Sequence, residues 1–188
     1  MVSMDLSASI TLLLTISCCL WNTESRTYSS VLSVPNGSSW GEWGPISFCS
    51  SGYANAFSLK VEKDNWTLDN TGLNGIRLYC DDGTEIESRV GPWGTWTRNL
   101  FCNKSYLVSY SLRVEPRKGI LDDTAVNNIK FKCSDGVGRR GFGTTLGKFG
   151  PWSQSCQSNG ICGMRTRMED AQGLGDDTAL NDVVFYCC

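Results

Sequence analysis

The sequence predicts an all-β, disulfide-stapled fold built from three copies of one unit of about 53 residues. Three observations predict it. Cysteines recur at a single spacing: 31 residues separate Cys49 from Cys80, Cys102 from Cys133 and Cys156 from Cys187. Apolar and polar residues alternate one by one in short segments, the period of a half-buried strand. Glycine is abundant (20) and proline scarce (5) in 188 residues, of which 11% are aromatic, a composition suited to short strands joined by tight turns. A fixed period of this size reads as architecture before anything else.

The first 21 residues read as a signal peptide. Its apolar stretch, Ile10 to Leu20, is shorter than the roughly 20 residues a bilayer span needs. Asp5 stands where a basic residue is usual. Cleavage near Leu20 and Trp21 removes Cys18 and Cys19 and leaves eight cysteines, an even number that fits an oxidising compartment. A secreted, extracellular protein is expected, with residues 27–188 forming one domain of three repeats at about 37–90, 91–145 and 146–188.

Each unit opens on an aromatic-glycine motif. Trp40-Gly41-Glu42-Trp43 recurs as Trp93-Gly94-Thr95-Trp96 and, more loosely, as Leu146-Gly147-Lys148-Phe149. A strand follows. Phe57, Leu59 and Val61 alternate with Ser58, Lys60 and Glu62, as Tyr110, Leu112 and Val114 do in the second unit. An Asp-rich turn comes next: Asp122-Asp123-Thr124-Ala125-Val126-Asn127 and Asp176-Asp177-Thr178-Ala179-Leu180-Asn181, with Asn70 and Gly72 as departures in the first unit. The strand after it places Ile76, Leu78 and Cys80 on one face, matched by Ile129, Phe131 and Cys133 and by Val183, Phe185 and Cys187. Units one and two then carry a further strand, at about 85–90 and 140–145. The third unit reaches Cys188 without one, which leaves a sheet edge unpaired. Segment 28–34, rich in Val and Ser, is expected to fill that edge and close three small sheets into a ring of pseudo-threefold symmetry.

The repeat suggests the pairs Cys49–Cys80, Cys102–Cys133 and Cys156–Cys187, leaving Cys162 for Cys188. Neighbouring strand residues face opposite ways, so Cys187 and Cys188 serve different faces. The swapped arrangement, Cys156–Cys188 with Cys162–Cys187, stays open. Zinc is the weaker reading, since the cysteines are scattered and histidine is absent. The lack of histidine also removes Ser-His-Asp and Cys-His catalysis. Net charge is −2 with no block of like charge, so neither a nucleic-acid nor an anionic-membrane partner is expected. No cofactor, metal or membrane span is expected either.

With these residues laid out, Trp-Gly-x-Trp, Phe57-Ser58-Leu59-Lys60-Val61-Glu62, Asp176-Asp177-Thr178-Ala179-Leu180-Asn181 and the terminal Cys187-Cys188 together resemble the vitelline membrane outer layer protein 1 family, from about Tyr28 to Cys188. The resemblance implies a β-prism of three Greek-key four-stranded sheets with four disulfides. It also implies an extracellular structural protein, and a family associated with transfer among N-acetylglucosamine oligomers. It carries over no catalytic residue.

Asp122, Asp123, Asp176 and Asp177 are the candidate acid and base for such transfer, which needs two carboxyls roughly 5–10 Å apart. Holding turns through backbone hydrogen bonds is the favoured role. Lys60, Arg113 and Arg167 are expected to pair with Glu62, Glu115 and Glu169 on a solvated face. Trp40, Trp43, Trp93, Trp96 and Trp152 either meet sugar rings or, as favoured here, pack inside the sheet junctions. Asn36, Asn65 and Asn103 head N-glycosylation sequons in expected loops. The leading functional expectation is a monomeric structural or interaction protein of an extracellular coat or secretion, with glycans or other coat proteins as partners. Durability is favoured over catalysis. The alternatives are a carbohydrate-binding module and a weak glycosyl-transferring enzyme.

Overall fold

The computed structural model describes residues 26–62, 71–115, 126–169 and 180–188. The signal segment with Cys18 and Cys19, the carboxylates Asp122, Asp123, Asp176 and Asp177, and the sequon residue Asn65 lie outside the described residues.

All described regular structure is β. The first sheet comprises β4 (Ala54–Val61), β5 (Leu73–Cys80), β6 (Glu85–Glu87) and β7 (Thr95–Trp96), in the order β6-β5-β4-β7, with β8 (Leu100–Phe101) also on β4. The second comprises β9 (Leu107–Val114), β10 (Val126–Cys133), β11 (Gly138–Arg140) and β12 (Lys148–Phe149), in the order β11-β10-β9-β12. The third comprises β1 (Ser30–Leu32), β2 (Glu42–Trp43), β13 (Ile161–Met168) and β14 (Leu180–Cys187), in the order β1-β14-β13-β2, with β3 (Ser47–Phe48) on β13. Every pairing is antiparallel. The architecture is an all-β prism of three sheets. Two of them carry a fifth short strand that periodicity does not reveal.

Sequence unit and sheet are out of step. The aromatic-glycine motif that opens one unit pairs with the long strand of the unit before it: β7 on β4 and β12 on β9. The first motif crosses to the third unit, as β2 on β13. At the opposite edge of that sheet β1 pairs with β14, Ser30 opposite Cys187 and Leu32 opposite Phe185. One expected strand moves. The third strand of the second unit is Gly138–Arg140, not 140–145, because Gly138 and Arg140 pair with Lys132 and Lys130 directly after the turn. Residues after Gly141 leave the sheet and form a junction instead.

Two register shifts recur in all three sheets. One falls where Asn74, Asn127 and Asn181 sit, the other beside Asn55, Val108 and Cys162. Bulges sharpen twist and bend a strand, which curls each small sheet around the prism axis. The inner faces meet there. Phe131 lies 4.7 Å from Phe57 and 5.1 Å from Phe185, and Tyr110 lies 4.7 Å from Phe185. These are tilted and edge-on contacts of the kind aromatic quadrupoles favour. The Tyr110 hydroxyl donates to Val183 O at 2.7 Å, so the buried phenol is satisfied.

Four disulfides are present: Cys49–Cys80, Cys102–Cys133, Cys156–Cys187 and Cys162–Cys188. The first three each close 31 residues and are worth about 3–4 kcal/mol apiece in the chain-entropy account. Within β1, Leu32 is 2% exposed and Val31 46%. Leu32→Ala is therefore expected to lower stability by about 3 kcal/mol in denaturant unfolding. Val31→Ala is expected to change it by less than about 0.5 kcal/mol. Equal effects would mean that β1 does not seal the third sheet.

Candidate functional site at the sheet junctions

The edge strands β2, β7 and β12 build the three junctions between sheets. Each follows a glycine in the left-handed region: Gly41 at φ 76°, Gly94 at 82° and Gly147 at 73°. A Cβ there would lie 2.2 Å from Met168 O, 2.5 Å from Val61 O and 2.3 Å from Val114 O respectively. Glycine is thus required twice over, by conformation and by contact.

This turn explains why the expected burial of the tryptophans fails. It throws the first aromatic outward, and Trp40 and Trp93 are each 50% exposed; Trp152 is 38% exposed. Trp43 and Trp96 are only half-buried, because they lie on the outer face of edge strands. The outward rings carry cations. Arg77 lies 4.2 Å from the Trp96 centroid, Lys130 lies 4.7 Å from Phe149 and 4.6 Å from Trp152, and Arg165 lies 5.5 Å from Trp43. Cation–π attraction at exposed sites contributes about 0.5–1 kcal/mol each and limits ring motion. Arg77 is itself held by Glu87 and, at 3.5 Å, by Glu85.

The expected Lys–Glu pairs give way to backbone contacts. Lys60 Nζ donates to Gly91 O at 2.8 Å and Pro92 O at 3.1 Å; Arg113 Nε donates to Leu146 O at 3.0 Å; Arg167 Nε donates to Gly41 O at 2.9 Å. Each cation clamps the turn that opens the motif. Glu62 instead accepts from the Thr71 hydroxyl at 2.5 Å. Carbonyls fixed by a strained turn are the better partner, since an exposed ion pair is worth little.

Opposite each edge strand runs the segment leaving the next sheet. One backbone bond ties each departing segment to the long strand of its own sheet: Ser38 N to Asn181 O at 2.8 Å, Gly91 N to Asn74 O at 2.7 Å and Thr144 N to Asn127 O at 2.9 Å. Two junctions hold open clefts. The first, about 570 Å³, lies between the second and third sheets, with Trp40, Phe149, Asn36, Lys148 and Glu115 on its walls. The second, about 490 Å³, lies between the first and second sheets, with Trp96 and Phe142 facing a set of threonines. The third junction is packed by side chains: a Cβ on Gly44 would lie 2.6 Å from Arg89 Cβ, and Ser88 Oγ donates to Pro45 O at 2.7 Å.

Two sequon residues are described. Asn36 lines the first cleft, yet its Nδ2 donates to Leu112 O at 3.0 Å and its Oδ1 is buried without a partner among the described residues. Asn103 is exposed in a turn. Among the described residues no cluster of three or more Cys, Asp or Glu is placed to hold a metal, and no helix is long and apolar enough to cross a membrane.

Sequence reasoning missed Asp182. The repeat places Gly75, Asn128 and Asp182 in one slot, and a carboxylate among Gly and Asn was the available signal. Asn128 Oδ1 accepts from Ile129 N at 2.8 Å and its Nδ2 donates to Gly141 O at 3.1 Å. Asp182 Oδ1 accepts from Val183 N at the same 2.8 Å. The carboxyl lies under the first cleft, where a Cβ on Gly37 would come within 2.2 Å of it. Burial pushes its pKa up from 3.8 to about 6, against the opposing pull of Val183 N and Arg167.

The family model described as vitelline membrane outer layer protein I matches residues 30–188. The vitelline membrane outer layer protein 1 homologs of Mus musculus and Homo sapiens are each 45% identical over 170 residues, covering 86% of this chain and 84% of theirs. Among solved structures, Calystegia sepium agglutinin superposes with a TM-score of 0.57 at 14% identity, covering 86% of this chain and 97% of its own. Frutapin, a lectin from Artocarpus incisa, gives 0.55 at 15%, with 86% and 98% covered. Artocarpin in complex with mannotriose gives 0.54 at 15%, again with 86% and 98% covered. At such identities the likeness is one of fold.

A raised carboxyl pKa favours the neutral form in the folded state. Its stabilising effect is complete below pH 3.8 and is lost as pH rises through about 6. Asp182→Asn is therefore expected to raise stability by on the order of 1–2 kcal/mol above pH 7 and to change little near pH 4. Thermal unfolding across that range checks it, and a gain independent of pH would overturn the assignment.

Proposed function

The chain belongs to the vitelline membrane outer layer protein I family, and from that membership we propose that it is a secreted structural and interaction protein of an extracellular coat, engaging glycans at a sheet junction. The first cleft carries this reading. Trp40 and Phe149 offer flat apolar faces, and Asn36, Lys148 and Glu115 stand beside them with donors and acceptors. Sugars need that combination, because a pyranose shows C–H groups on its faces and hydroxyls at its rim. Proteins of like fold bound to mannotriose and to a biantennary N-glycan support it. Four disulfides suit life outside the cell.

Glycosyl transfer is the second reading. Glu115 is the carboxylate on the wall of the first cleft among its described residues, and the Asp182 carboxyl lies beneath Gly37 of that wall. Transfer needs two within reach of one bond. Incubation of the purified protein with N-acetylglucosamine tetramer or mannotriose separates the readings. Expected are saturable tryptophan quenching, weakened roughly tenfold or more by Trp40→Ala, and unchanged oligomer lengths by mass spectrometry. New lengths, absent from a boiled control, would make the protein an enzyme. Absence of quenching by either sugar would remove the glycan reading.

Glycosylation is expected at Asn103 and not at Asn36, whose amide nitrogen is committed to Leu112 O. Intact mass after expression in a secreting cell checks it. Asn103→Gln should lose a glycan, and a loss in Asn36→Gln would contradict the assignment.

A further inference from the structure

We infer that the cleft between the first and second sheets is a second oligosaccharide subsite, selective for uncharged sugars, so that one molecule holds two glycan chains at once. This rests on the glycan reading of the first cleft. The two clefts are the same place in successive units. Val61 and Val114 floor them, Trp96 and Phe149 form one wall, and the chain leaving the neighbouring sheet forms the other. The backbone bond that ties each departing chain to its own sheet fixes the register. Two residues before its donor stand Asn36 in the first cleft, Phe142 in the second and Arg89 in the packed junction.

That one slot sets what each junction does. Arg89 fills its own: its carbonyl accepts from Thr166 Oγ1 at 2.7 Å while the side chain's root lies against Gly44. Phe142 is 41% exposed and held by Arg98, whose guanidinium lies 4.5 Å from the ring. Trp96 faces the same cleft with Arg77 at 4.2 Å. Two aromatic platforms, each steadied by a guanidinium, lie across about 490 Å³, within the usual range for small-ligand sites.

The polar groups are hydroxyls. Thr144 Oγ1 donates to Asn127 Oδ1 at 2.7 Å, and Thr97 Oγ1 accepts from Leu59 N at 3.1 Å and donates to Arg98 O at 3.3 Å, so both are oriented. Thr95 and Thr145 are exposed at the rim. No charged side chain lines this cleft among the described residues, whereas Lys148 and Glu115 line the first. The nearest charges, Arg77 and Arg98, lie over the Trp96 and Phe142 rings, and Arg77 is already paired with Glu85 and Glu87, so a charged sugar would lose hydration here for little counter-charge. A neutral one exchanges hydroxyl partners and stacks.

The test is calorimetric titration of the full disulfide-bonded protein with N-acetylglucosamine tetramer and with mannotriose. Two sites per molecule are expected for at least one probe. One site should remain in Trp40→Ala and one in Phe142→Ala. Thr95→Arg, an exposed substitution at the cleft mouth, should also remove one and guards against a folding defect in Phe142→Ala. Binding left in Trp40→Ala should change less than about twofold between roughly 0.05 and 0.5 M salt. A single site, lost in Trp40→Ala and untouched by Phe142→Ala and Thr95→Arg, would overturn this inference and leave the first cleft standing. Two sites that survive both second-cleft variants would also overturn it. No binding of either probe would overturn the inference and the glycan reading together.

Discussion

Each sheet is completed by a strand that belongs to another unit of the sequence. A long antiparallel pair with one apolar face presents an open edge on either side, and open edges are sticky. Here β2, β7 and β12 cover one edge of each pair, and β1, β6 and β11 cover the other. The exchange ties the three units into a ring. It also brings a motif from one unit against the departing chain of another, and the junction clefts are the space left between them. The left-handed glycines, the Lys and Arg clamps on the carbonyls of the turns around them and the outward aromatics all serve that exchange.

Symmetry keeps the scaffold, and departures from it make the sites distinct. The bulges and the three 31-residue disulfides recur in every unit. Along the axis the units already differ, with Phe57, Tyr110 and Met164 in one inner slot and Leu78, Phe131 and Phe185 in another. Unequal side chains interdigitate where three identical ones would collide or leave a void. The same freedom, used at the rim, gives Asn36, Phe142 and Arg89 at the three junctions and Gly75, Asn128 and Asp182 beneath them.

Much of this was legible in the sequence. Alternation revealed the long strands because each buries one face, and the cysteine spacing revealed the units. Segment 28–34 suggested itself because the third unit lacked a strand; residues 30–32 of it are β1. Two-residue strands were illegible, since β2, β7 and β12 are too short to show a period. That is why Trp40 and Trp93 read as core when they stand at the rim: hydrophobicity reports the side chain's preference, and the left-handed glycine before the strand decides its direction. The start of β11 was misread for a related reason. Gly138, Arg139 and Arg140 carry no apolar alternation, and backbone pairing alone places them in the sheet. Asp182 stayed hidden as the residue directly after a motif that reads as a turn.

The pairing of β1 with β14 also has a mechanical meaning. Ser30 and Cys187 lie side by side, so the chain enters and leaves the third sheet at the same end. Tension applied across these two points would unzip the β1 ladder one bond at a time, the geometry in which a sheet resists least. The first bonds to yield would be those of Arg26 to Cys49 O and of Ser29 to Cys187 O. Beyond them the covalent bonds Cys156–Cys187 and Cys162–Cys188 anchor β14, and on the other side the pull would run past β2 and β3 only as far as Cys49–Cys80. A molecule of this construction embedded in a stretched matrix would lengthen by a short, recoverable amount and then hold.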